Sequence, residues 1–475
     1  MSNIFYNRRN ELISLEEIFN FAGKKPQFLM IYGRRRIGKT ILAEEFIKNK
    51  KALYFFIGEK EKIDLLNEFS DIIFEKFKEE IYQKPKFSSF EEFFELIFKL
   101  SQKEKLIIVL DEFQNFMNVD KSVFSTLQKL WDKYNHSKVM LIVIGSYVGL
   151  MKRLFRDSKK PLFGRLTQQI NLKQFSFRDS FKVMKSLKKL RIKEAIEVYS
   201  FLGGIVKYII YLEEYWKNIN FFIENCFLKE FAPLREEGRQ ILSLEFGRYR
   251  KSYFSILEAI SLGNTKPIEI SNKTGLKILT INKYLYELTN EYEFLEKITP
   301  VTENELKTRK VFYKIKDNFF NFWFRFIYKN LSKFESKDFS YILEDIKQNL
   351  NAIVGFKFED ICKEFLINSK SFNFSKIGTW WGHYRDKENK RNEIEIDLIA
   401  LNENTKEITF CECKWRDKVD AKKILNELKE KVKFVNWNNK NRKEKYCIFA
   451  KSFKEKIKEQ NLTLFDLKDL ENLFN

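Results

Sequence analysis

At 475 residues the chain is too long for one ordinary domain, and at roughly 100–200 residues per domain it predicts about three. Its 44% hydrophobic content, with 50 Phe, supplies sizeable cores and excludes general disorder, and no apolar run approaches the roughly 20 residues needed to span a bilayer. Lys and Arg outnumber Asp and Glu by 87 to 66, a net +21 that makes a polyanion such as DNA or RNA a candidate partner; a chain crowded throughout with Lys, Asn, Phe and Ile explains the same excess without one.

The opening MSNIFYNRRNEL is charged and has no apolar stretch of the signal-peptide kind, so a cytoplasmic protein is expected, with no membrane partner. Five scattered cysteines, among them a lone Cys411-x-Cys413, suit neither a disulfide framework nor a zinc site.

From residue 3 to about 172, short apolar runs alternate with helix-period stretches, the α/β signature. Residues 28–32 (FLMIY) read as a strand and ILAEEFIKNK as a helix. Between them stand Gly33, Arg34, Arg35, Arg36, Ile37, Gly38, Lys39 and Thr40, which match GxxxxGK[ST] in its required context. The glycines let backbone N–H groups close on phosphate oxygens at a helix N-terminus, so ATP is the expected ligand. Lys39 would reach the β- and γ-phosphates, and the Thr40 hydroxyl would ligate Mg2+. Residues 106–110 (LIIVL) form a buried-strand run ending in Asp111 and Glu112. Asp111 is expected to hold Mg2+, and Glu112 to orient and polarise the attacking water. A further strand, 141–144, ends in Gly145 and Ser146; Ser146 is either a group touching the γ-phosphate or water, or a plain strand-end turn.

Residues 173–231 read as amphipathic helices broken at Gly203-Gly204. Residues 253–261, 267–273 and 280–288 then give three helices, followed by strands at 294–298 and 311–315, the order of a winged helix. Its third helix would bury Ile281, Leu285 and Leu288 and present Thr280, Asn282, Lys283 and Tyr286. Lys307, Arg309 and Lys310 near the wing would meet phosphates if this segment binds DNA, although such modules also serve as protein-binding units. The aromatic run 319–326 reads as an interior core rather than a base-stacking platform.

Near the C-terminus, 393–401 and 407–415 read as a hairpin turning at Asn404-Thr405, which sets Asp397 opposite Glu412. Glu412 and Lys414 then share one face and Cys411 and Cys413 the other. Two carboxylates and an ammonium suit metal-assisted phosphodiester hydrolysis. Asp397 and Glu412 would chelate Mg2+ or Mn2+, and Lys414, its pKa lowered by desolvation, would position or help deprotonate the attacking water. A charged surface hairpin is the alternative. His383, just upstream, is either a substrate-loop residue or part of a packed aromatic loop, and the lysine-rich stretch 420–458 either a DNA groove or a solvated helix face.

With these residues in view, the chain resembles the archaeal-type ATPases of the AAA+/STAND group that carry a winged-helix module and a PD-(D/E)xK nuclease-like C-terminal (DUF234) domain. The resemblance rests on FYNRRNEL from Phe5, YGRRR from Tyr32, DEFQ from Asp111, IGS from Ile144, PLFGR from Pro161 and GGIVKY from Gly203. It continues through Asp317 to Trp323, Asp397, Glu412 and Lys414. It implies that Arg8 lies near the adenine and that Arg165 is a γ-phosphate sensor or finger, a surface salt bridge being the other reading of Arg165. It also implies a role for Glu359 as the helix glutamate of the nuclease site. Val206 stands where the family usually has Pro. The expected architecture is α/β and multidomain: a P-loop ATPase with helical lid at 1–240, a winged helix at 241–330, and a restriction-endonuclease-like domain at 331–475. The expected function is ATP hydrolysis that gates a metal-dependent cut in DNA, the alternative being a STAND-type switch whose C-terminal domain binds DNA or protein without cutting. Arg165 acting in trans would imply a homo-oligomer.

Overall fold

Strands covered on both faces read as unbroken apolar runs, and the first part of the chain is built on three of them. In the computed structural model, which describes residues 5–247, 250–336, 339–385 and 388–475, the chain divides into two compact units, Met1–Gln174 and Phe175–Asn475. The strands of the first unit are β1 (Gln27–Tyr32), β2 (Ala52–Phe56), β3 (Leu106–Asp111), β4 (Val139–Gly145) and β5 (Gln168–Asn171). β1, β3 and β4 are buried at every position. All pairings are parallel, in the order β2-β3-β4-β1-β5, which sets the C-terminal ends of β1 and β3 on the same edge of the sheet, one on each side of β4. Phenylalanine fills the space beneath the covering helices: Phe55 of β2 meets Phe69 at 4.8 Å and Phe93 at 5.0 Å between ring centroids.

In the second unit, the helices Phe177–Lys188 and Ile192–Leu202, expected as a lid of the first domain, pack with the rest of Phe175–Asn475. Two contacts explain this. The Glu364 carboxylate accepts the N–H groups of Phe177 and Arg178 at 2.8 and 2.9 Å, capping the first helix, and the Phe177 ring meets Phe474 edge-on at 5.3 Å. The aromatic run is interior: Phe319, Phe320, Phe322, Trp323, Phe324 and Phe326 are all buried, and Phe322 packs on Phe227 at 5.0 Å.

Three helices follow, Arg250–Ser261, Pro267–Thr274 and Ile278–Tyr286, then β6 (Leu295–Ile298) antiparallel to β7 (Phe312–Ile315). Pro267 opens the second helix, and Glu269 takes the N–H groups of Thr265 and Lys266, both at 3.0 Å. Ile281, Leu285 and Leu288 are buried, while Asn282, Lys283 and Tyr286 are exposed.

The C-terminal sheet consists of β8 (Lys376–Arg385), β9 (Arg391–Asn402), β10 (Glu407–Lys414), β11 (Lys443–Ala450) and β12 (Leu462–Phe465), in the order β12-β11-β10-β9-β8. β8, β9 and β10 form an antiparallel meander, and β11 and β12 continue it in parallel. Leu425, Leu428 and Val432 of the helix Ala421–Val432 pack against Ile396, Ile408, Phe410 and Ile448. The 30-residue helix Ser340–Ser369 contributes Phe358, which meets Trp415 at 5.1 Å, and Phe365, which meets Phe449 at 5.6 Å. No described helix is long and apolar enough to cross a membrane.

One close approach gives a test of this packing. A Cβ on Gly238 would stand 2.4 Å from the Trp323 ring, which cannot retreat freely because its Nε1 donates to the Arg235 carbonyl at 2.7 Å. Gly238→Val should therefore cost about 1–3 kcal/mol through overpacking. Urea unfolding followed by tryptophan fluorescence would register it as a lower midpoint; an unchanged midpoint contradicts the packing.

Candidate functional site

The chain from β1 to the helix Lys39–Ile47 must turn sharply while keeping its N–H groups free, and the glycines make this possible. Gly33 has φ 153°, and a Cβ there would lie 2.4 Å from the Leu172 carbonyl oxygen. Gly38, the helix N-cap, has φ 92° and open space where a side chain would project. Arg36 also adopts a left-handed conformation, φ 70°, which is uncommon outside glycine. Lys39 is buried and spans the loop, its Nζ donating to the carbonyls of Gly33 and Arg34, both at 2.9 Å. Thr40 Oγ1 donates to Asp111 Oδ2 at 2.6 Å. The parallel register of β2 and β3 brings Tyr54 to the same oxygen, also at 2.6 Å. Burial and the adjoining Asp111 carboxylate push the Tyr54 hydroxyl pKa well up, so it remains a donor.

Glu112 follows in a left-handed conformation, φ 55°, and its carboxylate is held at both oxygens. Ser146 Oγ donates to Oε1 at 3.0 Å, and the Gln114 side-chain amide donates to Oε2. Ser146 thus meets Glu112 through its hydroxyl. Arg8 braces the loop from behind: its guanidinium donates to the carbonyls of Ile37 at 3.2 Å and Lys173 at 2.6 Å and pairs with Glu11 at 3.0 Å. The Arg35 guanidinium lies over the Tyr147 ring at 5.8 Å. Arg165 pairs with Asp132 at 3.0 Å and donates to the Phe163 carbonyl at 2.9 Å. Tyr54 was not singled out from the sequence, and its signal is weak: one hydroxyl in an apolar strand.

The second cluster lies in the C-terminal sheet. The β9–β10 ladder runs from Asn402↔Glu407 to Leu398↔Cys411, with the turn at 403–406, so Asp397 comes next to Glu412. There the pattern changes. Gly378 of β8 opposes Ile399 of β9 but Trp380 opposes Ile396, so two steps of β8 face three of β9, an irregularity that falls at Asp397 and Leu398. Bulges of this kind re-aim side chains. The Asp397 side chain accepts the Cys413 N–H at 2.7 Å and faces Lys414 Nζ at 3.3 Å. Lys414 also pairs with Glu412 Oε2, and Lys431, from the helix Ala421–Val432, holds Glu412 Oε1 at 2.7 Å. Lys431 belongs to the lysine-rich stretch but was not foreseen as a site residue.

Burial, and then repulsion from Glu412, raises the Asp397 pKa against the pull of Lys414 and the Cys413 N–H. Glu359, on the helix Ser340–Ser369, is driven well above the ordinary carboxylate range by burial and then by Asp397. For Lys414, expected to be lowered by desolvation beside a metal, the protein groups alone act the other way. Burial does push its pKa down, but Asp397 and Glu412 outweigh burial and raise it, so that without a cation beside it the group is an ammonium. Cys413 packs on the opposite side against Cys362, and both thiols are raised by burial. His383 is exposed on β8, opposite Glu393 of β9.

Among the described residues no three His, Cys, Asp or Glu side chains form a ready-made metal cage. The oxygen donors come in pairs, Thr40 with Asp111 and Asp397 beside Glu412. Such pairs fit Mg2+, which keeps several waters and takes further ligands from phosphates, and they fit Mn2+ for the same hard-donor reason.

Residues 5–212 match the family described as an ATPase domain predominantly from Archaea, and residues 323–424 match DUF234, described as archaea bacterial proteins of unknown function. An uncharacterized protein of Methanocaldococcus jannaschii, MJECL04, is 34% identical over 475 residues, covering 98% of this chain and 100% of its own. An uncharacterized ATP-binding protein of the same organism, MJ0423, is 46% identical over 48 residues, 10% of this chain and 78% of its own. Among solved structures, the Walker-type ATPase paby2304 of Pyrococcus abyssi shares the fold at TM-score 0.50 and 18% identity, covering 67% of this chain and 96% of that one. The chain belongs to this archaeal ATPase family and carries a DUF234 domain in its C-terminal part.

Proposed function

We propose that this ATPase acts on DNA, and that its C-terminal domain is a metal-dependent nuclease whose cutting is gated by the nucleotide site. The observation that carries the nuclease reading is the convergence of Asp397, Glu412 and Lys414, with Lys414 Nζ against both carboxylates.

At the nucleotide site, the N–H groups of the loop and of the N-terminus of helix Lys39–Ile47 would receive the phosphate oxygens. Lys39 would exchange its two carbonyl acceptors for the β- and γ-phosphates, a charge-assisted bond in place of neutral ones. Thr40 and Asp111 would hold the Mg2+ that accompanies ATP. Glu112, fixed by Ser146 and Gln114, would orient the attacking water. Arg8 would stiffen the loop through the Ile37 carbonyl, while Arg165, in its pair with Asp132, would need to leave that partner to reach a phosphate.

Glu112→Gln should reduce ATP hydrolysis by about 10²–10⁴-fold with nucleotide binding retained, and Lys39→Ala should weaken both. A steady-state phosphate-release assay with fluorescent-nucleotide binding beside it checks this; hydrolysis unchanged in Glu112→Gln contradicts the assignment.

At the second site, Asp397 and Glu412 would hold Mg2+ or Mn2+, which would polarise the scissile phosphate and its water. Lys414 would offset the charge that builds on the phosphate oxygens, and Lys431 would keep Glu412 turned inward. Glu359 would add a third carboxylate from the helix side. The net charge of +21 supports a polyanionic substrate.

Of supercoiled, linear, single-stranded and branched DNA, at least one should be cut by the wild type in Mg2+ or Mn2+ and left intact in EDTA. Asp397→Ala should abolish cutting with ATP hydrolysis unchanged, and Lys39→Ala should alter its rate. Equal cutting with and without ATP would sink the gating. Intact DNA on every substrate, with hydrolysis normal, would favour the ATP-driven switch.

A further inference from the structure

Within the second unit a cleft of about 980 Å³ opens between the three-helix module and the β8–β9 edge of the C-terminal sheet. Lys266, Arg309 and Lys310 face it from the module, and His383 and Arg391 from the sheet. Glu393 is the one acidic side chain lining it among the described residues. Two of the cations are already answered, Lys266 by Glu393 and Lys310 by Glu303, both at 2.6 Å. Arg309 and Arg391 form no salt bridge among the described residues. Lys266 first, and Arg391 in smaller part, hold the Glu393 pKa down, but neither guanidinium is tied to a carboxylate, so both can turn to a phosphate.

Asn282 and Asn392 add uncharged polar groups, and Pro267, Ile268, Ile278, Val311 and Trp381 make the rest of the lining apolar. Ile268 is 59% exposed and Ile278 37%, and the largely buried Trp381, its ring tilted against Phe312 at 4.6 Å, lines the cleft from the sheet side. A duplex keeps its base faces stacked inside and offers chiefly phosphates and groove edges, which gives an apolar wall little to do. An unpaired strand offers both halves of a nucleotide, a base face for the apolar wall and a phosphate for the arginines.

Glu393 also lines a second cavity, of about 550 Å³, whose wall includes Asp397 and Lys431 together with Glu395 and Glu430, an acidic lining that suits a cation brought in beside the strand. Along β9 the six steps from Arg391 to Asp397 span at most about 20 Å at roughly 3.3 Å per residue. The cleft and Asp397 of the second site therefore share the strand β9, with Glu393 common to both cavities.

We propose that this cleft binds single-stranded DNA and leads it along β9 to Asp397 and Glu412. The proposal rests on the nuclease reading and narrows its substrate to DNA with an unpaired strand.

The test is fluorescence anisotropy of the full-length chain in EDTA, with a fluorescein-labelled 20-nucleotide oligothymidylate and a 20-base-pair duplex as probes. The oligothymidylate should bind more tightly than the duplex. Arg309→Glu with Arg391→Glu should weaken it by about tenfold or more and lower the log–log salt slope by about 1.4, two contacts at about 0.7 each. Arg309→Lys with Arg391→Lys should keep most of the affinity, and melting temperature and DNA-free ATP hydrolysis should not change in either variant. Oligothymidylate binding that survives charge reversal overturns the proposal, as does duplex binding that is equally tight and equally sensitive. If the strand binds through the arginines and nothing is ever cut, the nuclease reading fails while the cleft assignment holds. If cutting occurs and the arginine variants bind normally, the cleft assignment fails and the nuclease reading holds.

Discussion

A carboxylate taken out of water must be met by donors or by a cation, and both sites of this chain are organised around that requirement. Asp111 ends a strand that is buried at every position, and it is met by a threonine hydroxyl, a tyrosine hydroxyl and the N–H of the residue that follows. Glu412, almost wholly buried, is met by two lysines. Asp397 is met by one lysine and a backbone N–H, with Glu359 close enough to raise the charge debt. At the first site neutral donors dominate, whereas at the second the answer is ionic and its acidic groups remain crowded. The first environment leaves Asp111 neutral partners that a nucleotide-bound cation could replace, whereas the second holds its carboxylates against lysines.

The scaffolds that fix these groups differ as well. In the first unit the parallel sheet aligns the ends of β1 and β3, so the phosphate loop and the acidic pair meet without help from distant segments. In the second unit the site is gathered from β9, β10 and two helices on opposite sides of the sheet. Its geometry depends on the irregular pairing of β8 with β9, and disturbance of that edge would be felt at Asp397.

How much of this could be read from the residues follows from how local each signal is. The phosphate loop lies in one stretch of eight residues between a strand and a helix, and the register of the β9–β10 hairpin follows from its short turn, so both were accessible to pattern and spacing. The helices at 267–274 and 278–286 announced themselves through Pro267 and the buried spacing of Ile281, Leu285 and Leu288. What was not accessible was non-local. Tyr54 reaches Asp111 only because β2 pairs with β3, and Lys431 reaches Glu412 across 19 residues and a helix. The association of the helices after residue 174 with the second unit depends on Glu364 and Phe474, nearly 200 and 300 residues away. Lys414 shows a different limit. Burial alone argued for a lowered pKa, and the sign reversed once two carboxylates were counted against it.

In the proposed function Asp397 and Glu412 hold a hard cation independently of the nucleotide site. The direct measurement is Mn2+ binding to the full-length, nucleotide-free chain, followed by electron paramagnetic resonance of free Mn2+ in wild type, Asp397→Ala and Lys39→Ala. Wild type should show one saturable site, lost in Asp397→Ala and retained in Lys39→Ala. A binding curve that is the same in Asp397→Ala as in wild type, or no Mn2+ bound without nucleotide, would contradict it.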